Sequence, residues 1–240
     1  METRENNGVL AGVERRTLVW LAQRLPARIN SDHLTAIGVA GMAMAAGGFW
    51  LGAAWPEGLL VVPVGLAVNW FGDSLDGTVA RVRNQQRPRY GYYVDHVLDA
   101  VGILMLFAGL ALSGFMTPIV ALGVVAAYYL VSIEVYLATH ALGRFRMSFW
   151  KMGPTELRIV LAAGALALLW RPSVTMLGRD LLLFDIGGAV AVLGLLLATA
   201  VSAATNARAL YTTDVRRSFD VGRSKREPTV DHRPPIVDRW

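Results

Sequence analysis

The stretch DSLDGTVARVRNQQRPRYGYYVDHVLD, residues 73–99, decides how this 240-residue chain is read. It holds four aspartates in two pairs, Asp73/Asp76 and Asp95/Asp99. Successive helical residues turn by about 100°, so spacings of three and four put each pair on one helix face. Gly77 lies four residues after Asp73, and Ala80 four after Asp76. The face that carries the carboxylates is therefore nearly free of side-chain bulk, and a ligand can approach its backbone closely.

The surrounding sequence is a costly place for charge. Hydrophobic residues make up 54% of the chain and charged residues only 17%, against roughly 25% charged in ordinary globular domains. The 24 glycines follow no collagen-like period, and the hydrophobicity excludes intrinsic disorder. With no cysteine, a disulfide scaffold, a Cys-ligated zinc site and a thiol nucleophile are ruled out. The net charge of +5 sits beside long apolar runs, which point to a bilayer rather than to nucleic acid.

A helix crosses the hydrocarbon core with about 20 mainly apolar residues. Uncharged runs at 34–55, 115–133 and 186–206 meet that length. Those at 58–72, 100–113 and 159–170 are shorter and cross only if neighbouring polar residues enter the membrane with them. Extending them draws in Asp73 and Asp76, then Asp95 and Asp99, then Thr155, Glu156 and Arg158. The predicted fold is all-α, a polytopic bundle of six transmembrane helices at roughly 34–55, 58–83, 91–114, 117–142, 154–171 and 184–210.

Before these spans, Val13, Leu18, Leu21 and Leu25 recur at helical spacing among Arg15, Arg16, Arg24 and Arg28. That pattern predicts an amphipathic helix on the membrane surface. The apolar run behind it has no small-residue cleavage site, so it is not read as a signal peptide. Three regions follow: a cytoplasmic N-terminal segment at 1–30, a transmembrane catalytic domain at 31–211, and a disordered, basic cytoplasmic tail at 212–240. With the N-terminus inside, 21 of the 23 Lys+Arg fall on the cytoplasmic side, leaving only Arg171 and Arg179 outside. By the positive-inside rule both termini and the aspartate pairs face the cytoplasm.

Four carboxylates facing one another near a membrane require compensation. Arg81 can neutralise one. Divalent cations are the stronger answer, because hard ions take carboxylate oxygens and keep positions open for phosphate. Two such ions can clamp a diphosphate and stabilise charge on the leaving phosphate. The plainer alternative is a salt-bridge network that only fixes helix packing. Four aspartates beside Gly, Ala and Arg at regular spacing weigh against it.

The string Asp73-x2-Asp76-Gly77-x2-Ala80-Arg81-x9-Gly91-x3-Asp95-x3-Asp99 resembles the signature of the CDP-alcohol phosphotransferases (CDP-alcohol phosphatidyltransferases) at all eight positions. The resemblance implies that Asp73, Asp76 and Asp95 bind a pair of Mg²⁺ or Mn²⁺ ions, with Asp99 close to the second ion. It also implies that Asp99 is the general base for the attacking alcohol. Asp73, Gly77, Ala80 and Arg81 would meet the CDP-linked donor, with Arg81 on a phosphate oxygen, and Gly91 would permit close helix packing. The implied reaction displaces CMP from a CDP-linked lipid donor, CDP-diacylglycerol above all, by the hydroxyl of a small polar alcohol. A metal-ligated carboxylate is a weak base, so Asp99 can serve only if partly engaged or tuned upward. The family also implies a bacterial inner-membrane setting and commonly forms homodimers.

Arg146, Lys151, Glu156 and Arg158 form a candidate acceptor pocket for an anionic, phosphorylated alcohol. Ordinary positive-inside charge already accounts for Arg146 and Lys151; Glu156 and Arg158 are harder to dismiss, being at risk of burial. His96 and His140 read as packing or interfacial residues. Glu134 is a functional candidate, or a partner for an arginine of a neighbouring helix. Gly48 and Gly52 read as intramolecular packing. Competing readings are transfer of a CDP-linked head group to diacylglycerol, an intramembrane prenyltransferase and a divalent-cation transporter. The Asp-Gly-x2-Ala-Arg string does not fit the prenyltransferases, and a cluster near one face does not suit transport.

Overall fold

Proline and short polar caps punctuate the chain into helices. Asn30 accepts the His33 N–H at 3.0 Å while the Asn30 N–H donates to the His33 ring at 3.3 Å, which starts a helix at Ser31. Pro88, Pro118 and Pro154 each occupy a first helical position, where the missing N–H costs nothing. Gly114, with φ +77°, ends the helix before it.

The computed structural model describes residues 11–142, 154–176 and 178–224. Its helices are α1 (Ala11–Arg24), α2 (Ser31–Ala54), α3 (Val61–Val82), α4 (Pro88–Ser113), α5 (Pro118–Leu142), α6 (Pro154–Leu168) and α7 (Leu183–Ser224). A 3₁₀ turn, Pro56–Leu60, leads into α3. A hairpin of β1 (Ser173–Met176) and β2 (Arg179–Leu182) joins α6 to α7, with Ser173 opposite Leu182 and Gly178 at φ +74° in the turn.

Five helical segments are long and apolar enough to cross a membrane: Ser31–Ala54, Pro56–Val82, Pro88–Ser113, Pro118–Leu142 and Leu183–Thr213. The sixth expected span, α6, has 15 described residues, or about 22 Å at 1.5 Å per residue, short of the roughly 30 Å core. It still joins the two ends of the bundle, since Arg158 near its start reaches Asp73 and Leu168 at its end packs in the cluster around Phe49. At the other extreme, α7 continues to Ser224, beyond the boundary expected at 211. No proline interrupts residues 208–224, so the i to i−4 ladder continues after the apolar stretch ends. The rest of the expected tail, 225–240, lies outside the described residues.

The helices join in a ring. α2 packs on both α3 and α4, α3 on α1 and α6, α4 on α5, and α5 on α7. Among the described residues α3 and α4 are linked through α2 far more than through each other. One end of the bundle is filled by Phe49, Leu59, Val62, Leu106, Leu110 and Phe184, with the Phe49 and Phe184 rings edge to face at 5.5 Å. At this end Asp185 of α7 accepts the Thr117 N–H at 2.7 Å and the Thr117 hydroxyl, capping α5. At the opposite end, Leu18 and Ala22 of α1 pack against Leu34, Leu75 and Val79. The outer belt is apolar, with Leu112, Ile119 and Leu193 at least 70% exposed.

Inside lipid, burying an apolar group gains little from leaving water, so close backbone approach must supply the contact. α2 and α3 achieve it with glycine. A Cβ on Gly41, Gly65 or Gly72 would lie under 3.0 Å from backbone atoms of the facing helix. Gly48 makes the same approach against the Val62 backbone, and Gly52 leaves room for the Leu59 side chain, so this pair does pack within the chain. Gly65→Ala should therefore lower the thermal unfolding midpoint in detergent, in line with an overpacking cost of about 1–3 kcal/mol. Gly47→Ala is the matched control, because a Cβ there meets nothing within 4 Å and alanine favours the helix. Equal midpoints for the two variants would refute the glycine contact.

Candidate active site

The two aspartate pairs come to the same depth. Asp76 lies six residues before Val82, the last of α3, and Asp95 seven after Pro88, the first of α4. At 1.5 Å per residue both sit about 10 Å inside the helix ends. Asp73 and Asp99 lie a turn or so deeper. The five-residue connector makes α3 and α4 antiparallel, so their carboxylates share one end of the bundle, where the two helices hardly touch.

Asp76 is the most enclosed of the four, at 7% exposure. Thr35 of α2 donates its hydroxyl to Asp76 Oδ2 at 2.7 Å, and the Gly77 N–H donates to Oδ1. Ser31 donates to the Asp76 carbonyl at 2.9 Å. The Asp73 and Asp95 carboxylates are within electrostatic range of Asp76. Asp73 is more open and accepts from Arg158 Nη2 of α6 at 2.6 Å. Arg158 Nε donates to Asn69 Oδ1 at 2.7 Å, and Asn69 Nδ2 donates to the Gly38 carbonyl at 2.9 Å.

Arg81 donates to the Thr78 hydroxyl at 3.1 Å, and its guanidinium covers Gly77, where a Cβ would meet it at 3.3 Å. Ala80 is half-buried beside it. Asp95 is half-buried and Asp99 exposed; Asp99 lies within electrostatic range of Tyr128 and Tyr136 on α5. Arg83 donates to the carbonyls of Ile29, Leu25 and Pro26 at 2.5, 2.9 and 3.1 Å, tying the α1–α2 connector to the end of α3. Arg87, outside the spans, pairs with Asp32, which raises its already high pKa, and stacks over Tyr90 at 4.4 Å.

Several expectations meet this geometry differently. Gly91 does not pack closely: a Cβ there meets nothing within 4 Å among the described residues. It sits in the first turn of α4, where α3 stands away. Arg146 and Lys151 lie outside the described residues. Glu156 is half-buried in the first turn of α6. Among the described residues Glu134 pairs with no arginine; it accepts from Ser202 and Asn206 of α7, each at 2.8 Å. His96 packs its ring on Tyr92 at 4.1 Å and on Tyr136 at 4.9 Å, joining α4 to α5. Asn69, Thr35 and Ser31 carry no charge and do not stand out in the sequence. Asn69 alone gives a signal, lying four residues before Asp73 on the same face.

The donor set, carboxylates and hydroxyls only, suits a hard divalent ion. Among the described residues no three acidic or histidine side chains converge as a ready metal cage. The chemistry of the residues therefore fits the ion, while the gap between α3 and α4 leaves them spread.

Across residues 31–204 the sequence matches the family model described as CDP-alcohol phosphatidyltransferase. The chain belongs to that family. It is an integral membrane member of these enzymes, which transfer a phosphatidyl group from a CDP-linked donor to an alcohol. Among solved structures it is similar to the crystal structure of Mycobacterium tuberculosis phosphatidylinositol phosphate synthase (PgsA1) with CDP-DAG bound. That match has a TM-score of 0.55 and 20% identity, and covers 82% of this chain and 94% of the other. It supports the shared fold. No curated protein matches the sequence.

Thr35→Val keeps the shape of the side chain and deletes the donor to Asp76. A hydrogen bond to a charged group contributes about 1.5–3 kcal/mol, so CMP release should fall by roughly 10-fold or more. Circular dichroism checks that the bundle still folds, and wild-type turnover would remove Thr35 from the site.

Proposed function

We propose that the protein transfers the phosphatidyl group of CDP-diacylglycerol to the hydroxyl of a small polar alcohol, phosphorylated in its preferred form, at the cytoplasmic face of a bacterial plasma membrane. The observation that carries this reading is the pair of aspartate pairs at equal depth on antiparallel α3 and α4. The CDP-DAG bound to the M. tuberculosis synthase supports the choice of donor. The skew of 21 of 23 Lys+Arg toward one side supports the orientation.

In this reading Asp73, Asp76, Asp95 and Asp99 hold two divalent ions, Mg²⁺ or Mn²⁺. Those ions, when bound, neutralise the diphosphate and stabilise the leaving CMP. Arg81 holds a phosphate oxygen, and Gly77 and Ala80 let the donor approach the α3 backbone. The alcohol oxygen bonds to the lipid-side phosphorus as the bond from that phosphorus to the CMP oxygen breaks. Asp99, the more open of the two aspartates on α4, takes the hydroxyl proton. Arg158 uses two of its five N–H groups on Asn69 and Asp73; the others suit an acceptor phosphate, with Glu156 nearby in sequence.

The test is CMP release by purified protein from CDP-diacylglycerol, screened across polar alcohols and their phosphates with Mg²⁺ and with Mn²⁺. Release is expected only with a divalent ion and fastest with a phosphorylated acceptor. Asp99→Asn should abolish turnover and retain nucleotide binding. Near-normal turnover in that variant would reject Asp99 as the base, and metal-independent release would reject the ions.

A further inference from the structure

Asn69 sits in the middle of an apolar helix, and the reaction as described gives it no task. It is buried, at 8% exposure. Both ends of its amide are used: Nδ2 donates to the Gly38 carbonyl at 2.9 Å and Oδ1 accepts from Arg158 Nε at 2.7 Å. Reversing the amide would set donor against donor and acceptor against acceptor, so the network fixes its orientation. Arg158 is itself only 13% exposed and ends on Asp73 Oδ2 at 2.6 Å. A guanidinium is planar and rigid, so holding Nε fixes where Nη2 points.

We infer that Asn69 is a positioning residue that acts through Arg158: it orients the guanidinium, which in turn orients the Asp73 carboxylate for the metal. The inference rests on the proposed role of Asp73 as a ligand. Arg158 takes Oδ2, and the plane of the carboxylate, hence the direction of Oδ1, is set from behind. Asp73 is the ligand that needs this help. Asp76 is enclosed by α2 and held by Thr35 and Gly77, whereas the Asp73 side chain is 39% exposed. The anchor for the relay is a backbone carbonyl of α2, so the metal ligand is registered against the most tightly packed pair of helices. A merely structural reading is also available, because an amide bridging helices can act as polar glue. The two differ in what they do to the ion.

The experiment measures Mn²⁺ binding by electron paramagnetic resonance on the purified full-length protein in detergent with CMP present. It compares wild type, Asn69→Ala, Arg158→Lys and the double variant. Loss of an outer partner of a metal ligand typically weakens affinity by about 10–100-fold. Each single variant should bind Mn²⁺ at least roughly 10-fold more weakly, since lysine keeps the charge and loses the fork. The double variant should be no worse than the weaker single, because both act along one path. Unchanged Mn²⁺ affinity in Asn69→Ala, with or without a lower melting temperature, overturns the relay. Multiplying losses in the double variant overturn it too. If Asn69→Ala fails to fold, Arg158→Lys decides alone: wild-type affinity there means that charge suffices and the relay is wrong. Asp73→Asn separates the two claims. Binding equal to wild type in that variant overturns the metal reading and this inference with it. Binding lost there but kept in Asn69→Ala overturns the relay only.

Discussion

The backbone-to-backbone contact between α2 and α3 sets the other distances at the site. It exists because Gly38, Gly41, Gly65 and Gly72 leave no side chain between the two helices. That closeness brings the α2 carbonyl of Gly38 within hydrogen-bond reach of Asn69, and the Thr35 hydroxyl within reach of Asp76. With an ordinary interhelical spacing of about 8–10 Å, these short side chains would not span the gap. The glycines thus do for the carboxylates what a rigid loop does in a water-soluble enzyme. They convert helix packing, which lipid favours only through close fit, into fixed positions for polar atoms.

The second theme is how the protein tolerates acid groups at depth. Each aspartate on α3 is met by a group from another helix: Asp76 by the hydroxyl of Thr35 on α2, Asp73 by the guanidinium of Arg158 on α6. The same device recurs away from the site, where Glu134 of α5 is met by Ser202 and Asn206 of α7, and Asp185 of α7 by Thr117. Every one of these partners crosses between elements. The polar groups therefore help to specify which helices are neighbours, a task that apolar surfaces facing apolar lipid perform poorly.

How far the sequence disclosed this is clearest residue by residue. The spacing of Asp73, Asp76, Asp95 and Asp99 disclosed the family, because ionised groups among apolar ones stand out against the cost of burying them. The helix start at 154 was legible as well, while α4 begins at Pro88, three residues before the expected 91, and α5 at Pro118, one after the expected 117. Thr35 and Ser31 were not, since uncharged polar residues are ordinary in membrane helices and their partners lie 41 and 45 residues away, and Asn69 signalled only by standing four residues before Asp73. Gly91 misled because a motif glycine suggests a close neighbour, and here the neighbouring helix stands off. The hairpin at 173–182 was hidden by its four-residue strands between two strong apolar runs. The run of α7 past 211 was hidden because hydropathy marks where a helix leaves lipid, not where it stops being helical.

The apolar cluster of Phe49, Leu59, Val62, Leu106, Leu110 and Phe184 has a consequence for vectoriality. These side chains are nearly inaccessible and come from α2, the 3₁₀ turn, α3, α4 and α7, which together stopper one end of the ring. The carboxylates lie at the other end. Among the described residues that apolar end gives a polar group no partner, so the carboxylates are approached from their own end. In the proposed reaction the lipid product therefore forms at one end of the bundle, and its polar head group would have to cross the apolar core to reach the other leaflet.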